Sequence, residues 1–225
     1  MSDLKVAFAA LLILGVMTMA CPQQPPPGEA EGERIELPAP DTTGEMPVEA
    51  AIEARRSIRA FTDQPLTAEQ IGQLAWAAQG ITDEARGLRA PPSAGATYPL
   101  EVYLVTAEGV GRYLPQQHAL QMTISGDMRG QLAQAALGQG FVATAPLVVA
   151  VAGVYERTAG RYGPRAERYV HMEVGHLGQN VHLQAVALGL GSVPVGAFDD
   201  DTVAQVLNLP ADHAPLYLIP VGHPR

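Results

Sequence analysis

Lysine is almost missing from this chain. Of its 14 lysines and arginines only Lys5 is a lysine, and it lies within a segment read below as a removable leader. A mature chain without lysine forms no lysine Schiff base and has neither a P-loop lysine nor a lysine general base. The single cysteine, Cys21, excludes an internal disulfide, a CxxC redox pair and any cysteine-rich zinc or iron–sulfur centre. Aromatic residues make up only 5% of the chain, which gives little hint of a substrate wall. Positive charge is scarce too: the formal net charge is −9, and Glu29 to Glu45 sets six carboxylates against Arg34 alone. No basic field releases counterions from a phosphate backbone, so nucleic acid is not an expected partner.

Familiar catalytic spacings are also lacking. No HExxH occurs, and His171 and His176, five residues apart, lie about 140° apart around a helix. His171 and His182 share a face but sit about 16 Å apart along it, too far for one ion, so no metal site is expected. No GxSxG elbow frames Ser57, Ser93, Ser125 or Ser192, and Gly189-Leu190-Gly191 follows a helix instead of opening one as a dinucleotide fingerprint would.

What is present fits one folded unit. The 225 residues are 47% hydrophobic and 16% charged, enough for a single core. Val6 to Ala20 is an uncharged apolar run that spans about 22 Å as a helix, short for a bilayer and suited to a signal peptide over residues 1–20. Thr18-Met19-Ala20-Cys21 resembles a bacterial lipobox, which implies a lipidated Cys21 and an extracytoplasmic domain, periplasmic or at the cell surface, held to the membrane by its N-terminal lipid. An uncleaved anchor or an ordinary buried cysteine are the alternatives. Residues 21–46, with Pro25-Pro26-Pro27 and the acid cluster, read as a disordered tether.

The folded domain is expected over residues 47–225. Two helices open it, the second capped by Thr67 with Ile71, Leu74, Ala75 and Ala78 on one face. Strands are predicted over 101–106, 146–154 and 216–221, and helices over 126–137, 166–188 and 200–207. The long helix is apolar or small nearly all round and is expected to be buried. This order gives an α+β fold with a mixed central sheet.

Three segments carry candidate chemistry. Arg55-Arg56-Ser57-Ile58-Arg59 places three guanidiniums and a hydroxyl together at a helix end, suited to a phosphate or simply to the helix macrodipole. Pro91 to Pro99 is a rigid loop of small residues before a strand, and Gly189 to Phe198 is a small-residue turn leaving the long helix.

In order and spacing these segments resemble the FMN-dependent nitroreductase superfamily, most closely its azoline dehydrogenase-like (SagB/ThcOx) branch. The matching stretches include RRSIRAF at 55–61, PSAGATYPLEVYLV at 92–105, RTAGRYGPRAERY at 157–169 and GHLGQNVHLQAVALGLGSVPVGAFDD at 175–200. The resemblance implies an obligate homodimer with FMN at the interface. It implies that Arg55, Ser57 and Arg59, with Arg56 beside them, hold the phosphate and ribityl chain, joined by Arg225. It places Ser93, Ala94 and Gly95 on the loop supplied by the other subunit, and the amides of Val195, Gly196 and Ala197 at the flavin N5/O4 edge. NADH or NADPH is the implied donor and an electron-poor small molecule the implied acceptor. Azoline dehydrogenases carry a Lys-Tyr pair that removes a proton; here the pair is Arg161-Tyr162, and arginine stays protonated. Tyr162 remains the candidate catalytic residue. Oxidation of thiazoline or oxazoline rings is the second reading, and a non-catalytic flavin-binding surface lipoprotein the third.

Overall fold

The structure, a computed structural model, describes residues 32–225. The expected leader over 1–20, Cys21 and the first part of the tether lie outside the described residues. The chain begins with strand β1 (Arg34–Glu36), then helix α1 (Val48–Ala54) and helix α2 (Ala68–Gln79). Thr67 starts α2 with a reciprocal capping box: its Oγ1 accepts from Gln70 N at 3.2 Å while its own N donates to Gln70 Oε1 at 3.0 Å. A small hairpin follows, β2 (Ile81–Asp83) and β3 (Leu88–Arg89), and then the sheet strands β4 (Leu100–Val105), β5 (Gly109–Leu114) and β6 (Ala119–Ser125). Helices α3 (Arg129–Ala135) and α4 (Gly140–Thr144) lead to β7 (Leu147–Gly153), α5 (Tyr155–Tyr162) and the long α6 (Ala166–Ala187). The chain closes with β8 (Gly191–Ser192), α7 (Asp200–Val206) and β9 (Ala214–Gly222).

Seven strands form one sheet in the order β1-β6-β5-β4-β7-β9-β8. Every ladder in it is antiparallel, and the parallel element is a single bridge between Ser57 and Ser192. β7 is an interior strand, between β4 and β9, and is buried along its whole length. Its Leu147, Val149 and Val151 pack with α2 and α6, while Val148, Ala150 and Ala152 pack with α3 and α7. A strand covered on both faces reads as an unbroken apolar run, which is why PLVVAVAGV stands out in the sequence.

Three expectations change. Residues 32–46 of the tether are not detached: β1 pairs with β6, and Asp41 N donates to Gln73 Oε1 at 2.8 Å. His118 Nε2 donates to Pro38 O at 2.8 Å while His118 Nδ1 accepts from the Tyr113 hydroxyl at 2.8 Å. The acids of this segment stay on its solvent side, so charge did not prevent docking. The helix expected over 126–137 contracts to α3, because β6 runs on to Ser125 and Gly126 turns at φ 92°. Finally, α6 buries one face only. Val170, Val174, Leu177 and Val181 point into the core, whereas Arg168, His171, Met172, Gly175 and Gln179 are exposed in the single chain.

Candidate active site

The arginine segment leaves α1 as an extended strip laid against the edge of the sheet. Ile58 N donates to Ser192 O at 3.0 Å, Thr62 N to His223 O at 2.9 Å, and Arg225 N to Ala60 O at 3.1 Å. Phe61, buried in the core, pins the strip, and Gly191 lets it approach: a Cβ on Gly191 would lie 2.7 Å from Ile58 Cβ. The fold thus gathers residues 55–61, the turn after α6 and the C-terminal Arg225 at one edge. Arg225 and Arg129 also line a cavity of about 310 Å³ with Phe61 and Thr62.

The four cations are used differently. Arg56 Nη1 donates to the carbonyls of Glu53 and Arg55, both at 2.7 Å, so it closes the end of α1. That engagement uses one nitrogen of an exposed guanidinium and leaves the others open. Arg55 Nη1 donates to His182 Nε2 at 3.2 Å, and His182 Nδ1 lies 2.6 Å from Ser192 Oγ. Arg59 lies 6.0 Å from the Phe141 ring centroid and is otherwise exposed, as is Ser57. Among the described residues no carboxylate forms an ion pair with Arg55, Arg56, Arg59 or Arg225. In a chain this acidic, guanidiniums gathered at one edge are chemically suited to holding an anion.

Beside them lies the 195–197 turn. The Val195 amide is not free to meet a ligand, because it donates to Leu218 O at 2.8 Å while Leu218 N donates back at 3.0 Å. This corrects the expectation for Val195. The next two amides, Gly196 and Ala197, are exposed and make no hydrogen bond among the described residues. Gln139 steadies the turn, its Nε2 donating to Ala197 O at 2.9 Å. Neither Gln139 nor this contact is visible in the sequence, since 58 residues separate the two.

The loop with Ser93, Ala94 and Gly95 belongs to a second group. Ser93 Oγ accepts from Tyr98 N at 3.0 Å, and Gly95 turns at φ 60°. A Cβ on Gly95 would lie 2.7 Å from Tyr162 Oη and 2.9 Å from Arg161 Nη1, so α5 packs directly on the loop. Arg161 Nη1 donates to Gly95 O at 3.3 Å, and the Tyr162 ring meets Tyr169 edge-on with centroids 5.0 Å apart. Beneath the loop, Glu173 of α6 is 2% exposed, and its Oε1 has no hydrogen-bond partner among the described residues. Burial pushes its carboxyl up to about 7, against the smaller opposing pull of Ser93, Gln79 and Arg89.

Among the described residues of one chain, nothing joins these two groups by hydrogen bond, ion pair or ring contact. Both lean on α6, the loop through His176, whose Nδ1 lies 3.3 Å from Pro92 O, and the arginines through His182. Six residues of helix separate those histidines by about 9 Å along the axis.

A three-layer α+β fold with a cationic edge, two free amides and a long helix exposed on one side defines a class of protein. Residues 52–223 match the nitroreductase family model, and the chain belongs to the nitroreductase family. It is 45% identical over 197 residues to a Methanocaldococcus jannaschii protein named as a nitroreductase, covering 85% of this chain and 98% of that one. A Ralstonia eutropha structure described as a nitroreductase superposes with TM-score 0.79 at 29% identity, covering 88% of this chain and 92% of that one. The NADPH:FMN oxidoreductase of Vibrio harveyi, solved with NAD+, superposes with TM-score 0.60 at 25% identity, covering 79% and 68%. The chain has the nitroreductase-like α+β fold of an oxidoreductase family.

Proposed function

We propose that this protein is an FMN-dependent oxidoreductase that passes electrons from NADH or NADPH to an electron-poor organic acceptor. The observation that carries the reading is the cationic edge itself: Arg55, Arg59 and Arg225, without ion-pair partners among the described residues, next to the Gly196 and Ala197 amides, which make no hydrogen bond among those residues. This donor set suits FMN, which has a dianionic phosphate at one end and hydrogen-bond acceptors on its ring at the other. Arg55, Ser57, Arg59 and Arg225 would hold the phosphate and ribityl chain, and the Gly196 and Ala197 amides the N5/O4 edge. When bound, FMN supplies hydride acceptance and electron delivery, so no protein nucleophile is needed.

The separation of the two groups along α6 supports a homodimer in which the Ser93-Ala94-Gly95 loop of one chain completes the site of the other. The exposed face of α6, with Met172 53% exposed, supports the same arrangement. Tyr162, beside that loop, is the one candidate for proton transfer. The sequence resemblance is to the azoline dehydrogenase-like branch, but Arg161 donates to the Gly95 carbonyl and offers no base, which favours simple electron transfer over ring oxidation. A lipid anchor at Cys21 and an extracytoplasmic location belong to the same proposal. Labelling with a palmitate analogue, lost in Cys21→Ser, tests them.

The function is tested by anaerobic titration of FMN-loaded protein with NADH and NADPH. Bleaching of the flavin, reversed by a nitroaromatic or quinone, supports it. A flavin spectrum that neither nucleotide changes would leave a binding module only.

A further inference from the structure

We propose that His182 is a positioning residue for the anion site, holding the Arg55 guanidinium toward FMN without cancelling its charge; this rests on the FMN reading above. The geometry is a buried relay. A guanidinium only donates, so His182 Nε2 must accept from Arg55 Nη1 at 3.2 Å. The ring proton therefore sits on Nδ1 and donates to Ser192 Oγ at 2.6 Å, which fixes the tautomer and the ring plane. His182 and Ser192 are 3% and 1% exposed, so neither is free to turn toward solvent. Both are anchored by secondary structure, His182 on α6 and Ser192 on β8, where the Ser57 bridge ties the arginine strip to the same point.

The chemistry of the holder matters. A carboxylate would orient Arg55 equally well but would neutralise it, and an anion would then gain little from the pair. A neutral imidazole takes one N–H and leaves the other four, with the full positive charge, for a ligand. Burial and the adjacent Arg55 hold the imidazole down to about 4, so the ring is neutral at ordinary pH. Arg55 is half-buried and held by His182, whereas Arg59 is exposed and lies against Phe141; of these two, Arg55 is the one whose direction is fixed before ligand arrives.

The test compares FMN and riboflavin affinity, by flavin fluorescence, in full-length wild-type protein, His182→Leu, His182→Gln and His182→Glu. We expect His182→Leu to weaken FMN about tenfold, the worth of one lost orienting hydrogen bond, with riboflavin unmoved because it lacks the phosphate. His182→Gln, which keeps a neutral acceptor, should restore FMN binding to within about twofold, and His182→Glu should bind FMN as weakly as the leucine variant or worse. In an Arg55→Ala background the leucine substitution should add nothing. Should His182→Leu not fold, Ser192→Ala carries the same cycle. Unchanged FMN affinity, parallel loss of FMN and riboflavin, a glutamate variant as tight as wild type, or a loss that persists without Arg55 would each overturn the proposal. Wild-type protein that binds no FMN would instead defeat the flavin reading, and the inference with it.

Discussion

Glu173 offers a sharp test of the packing beneath the Ser93 loop. Its carboxyl is 2% exposed, Oε1 is unpartnered, and burial raises the pKa from 4.5 to about 7. The native state therefore keeps a proton that the unfolded chain releases near pH 4.5. Between those values the folded protein binds more protons, so stability falls as pH rises, by at most about 1.4 kcal/mol per pH unit. The contribution is intact below about pH 4.5 and lost by about pH 7, a total of roughly 3 kcal/mol. Glu173→Gln keeps the shape but cannot titrate, so its stability relative to wild type should climb by about that much from pH 5 to pH 8. Urea unfolding of both proteins at several pH values, at constant salt and protein concentration, measures the difference, and titrations common to both cancel. A difference that stays flat, or falls with pH, would show that Glu173 is ionised in the native state and the reasoning wrong.

Gly95→Ala puts a methyl 2.7 Å from Tyr162 Oη at φ 60°; it should cost about 1 kcal/mol in a thermal melt and weaken FMN binding, because the loop must shift. Leu177→Ala opens a hole between α6 and the sheet at a fully buried position and should cost about 2–5 kcal/mol in urea unfolding. His118→Ala leaves the buried Tyr113 hydroxyl unpaired and frees Pro38. It should cost about 1–3 kcal/mol and make residues 32–46 cleavable in limited proteolysis. Arg59→Ala removes an uncompensated cation and should weaken FMN about tenfold or more, with little change in the unfolding midpoint.

Much of this was legible in the residues. A cap and a helical period marked α2, a long stretch of apolar and small residues marked α6, and the apolar runs marked β4, β7 and β9, because each of those signals is local. The β5–β6 hairpin was not. Gly109 and Gly111 break the strand signal, yet Gly109 is required, since a Cβ there would lie 2.1 Å from Ile124 O, and Gly111 is closely packed, with a Cβ there 3.2 Å from Leu120 Cβ. β1 was hidden by its acids, because pairing with β6 uses backbone groups and leaves those side chains in water. At the site, the RRSIR motif announced itself by charge, but which arginine points outward depends on Glu53 O and His182, which only the fold brings near. Val195 was misjudged for the same reason: its amide is claimed by Leu218, 23 residues later, across a sheet edge. His182 and Ser192 were visible only as members of motifs they do not form.

The central claim is a flavin site shared between two chains, and analytical ultracentrifugation followed at the visible flavin absorbance tests it most directly. With FMN present at a slight deficit, the account predicts that the colour sediments entirely with a protein dimer, and that an Arg55→Ala/Arg59→Ala variant leaves it at the meniscus. Flavin sedimenting with monomer, or remaining free beside folded wild-type protein, would contradict it.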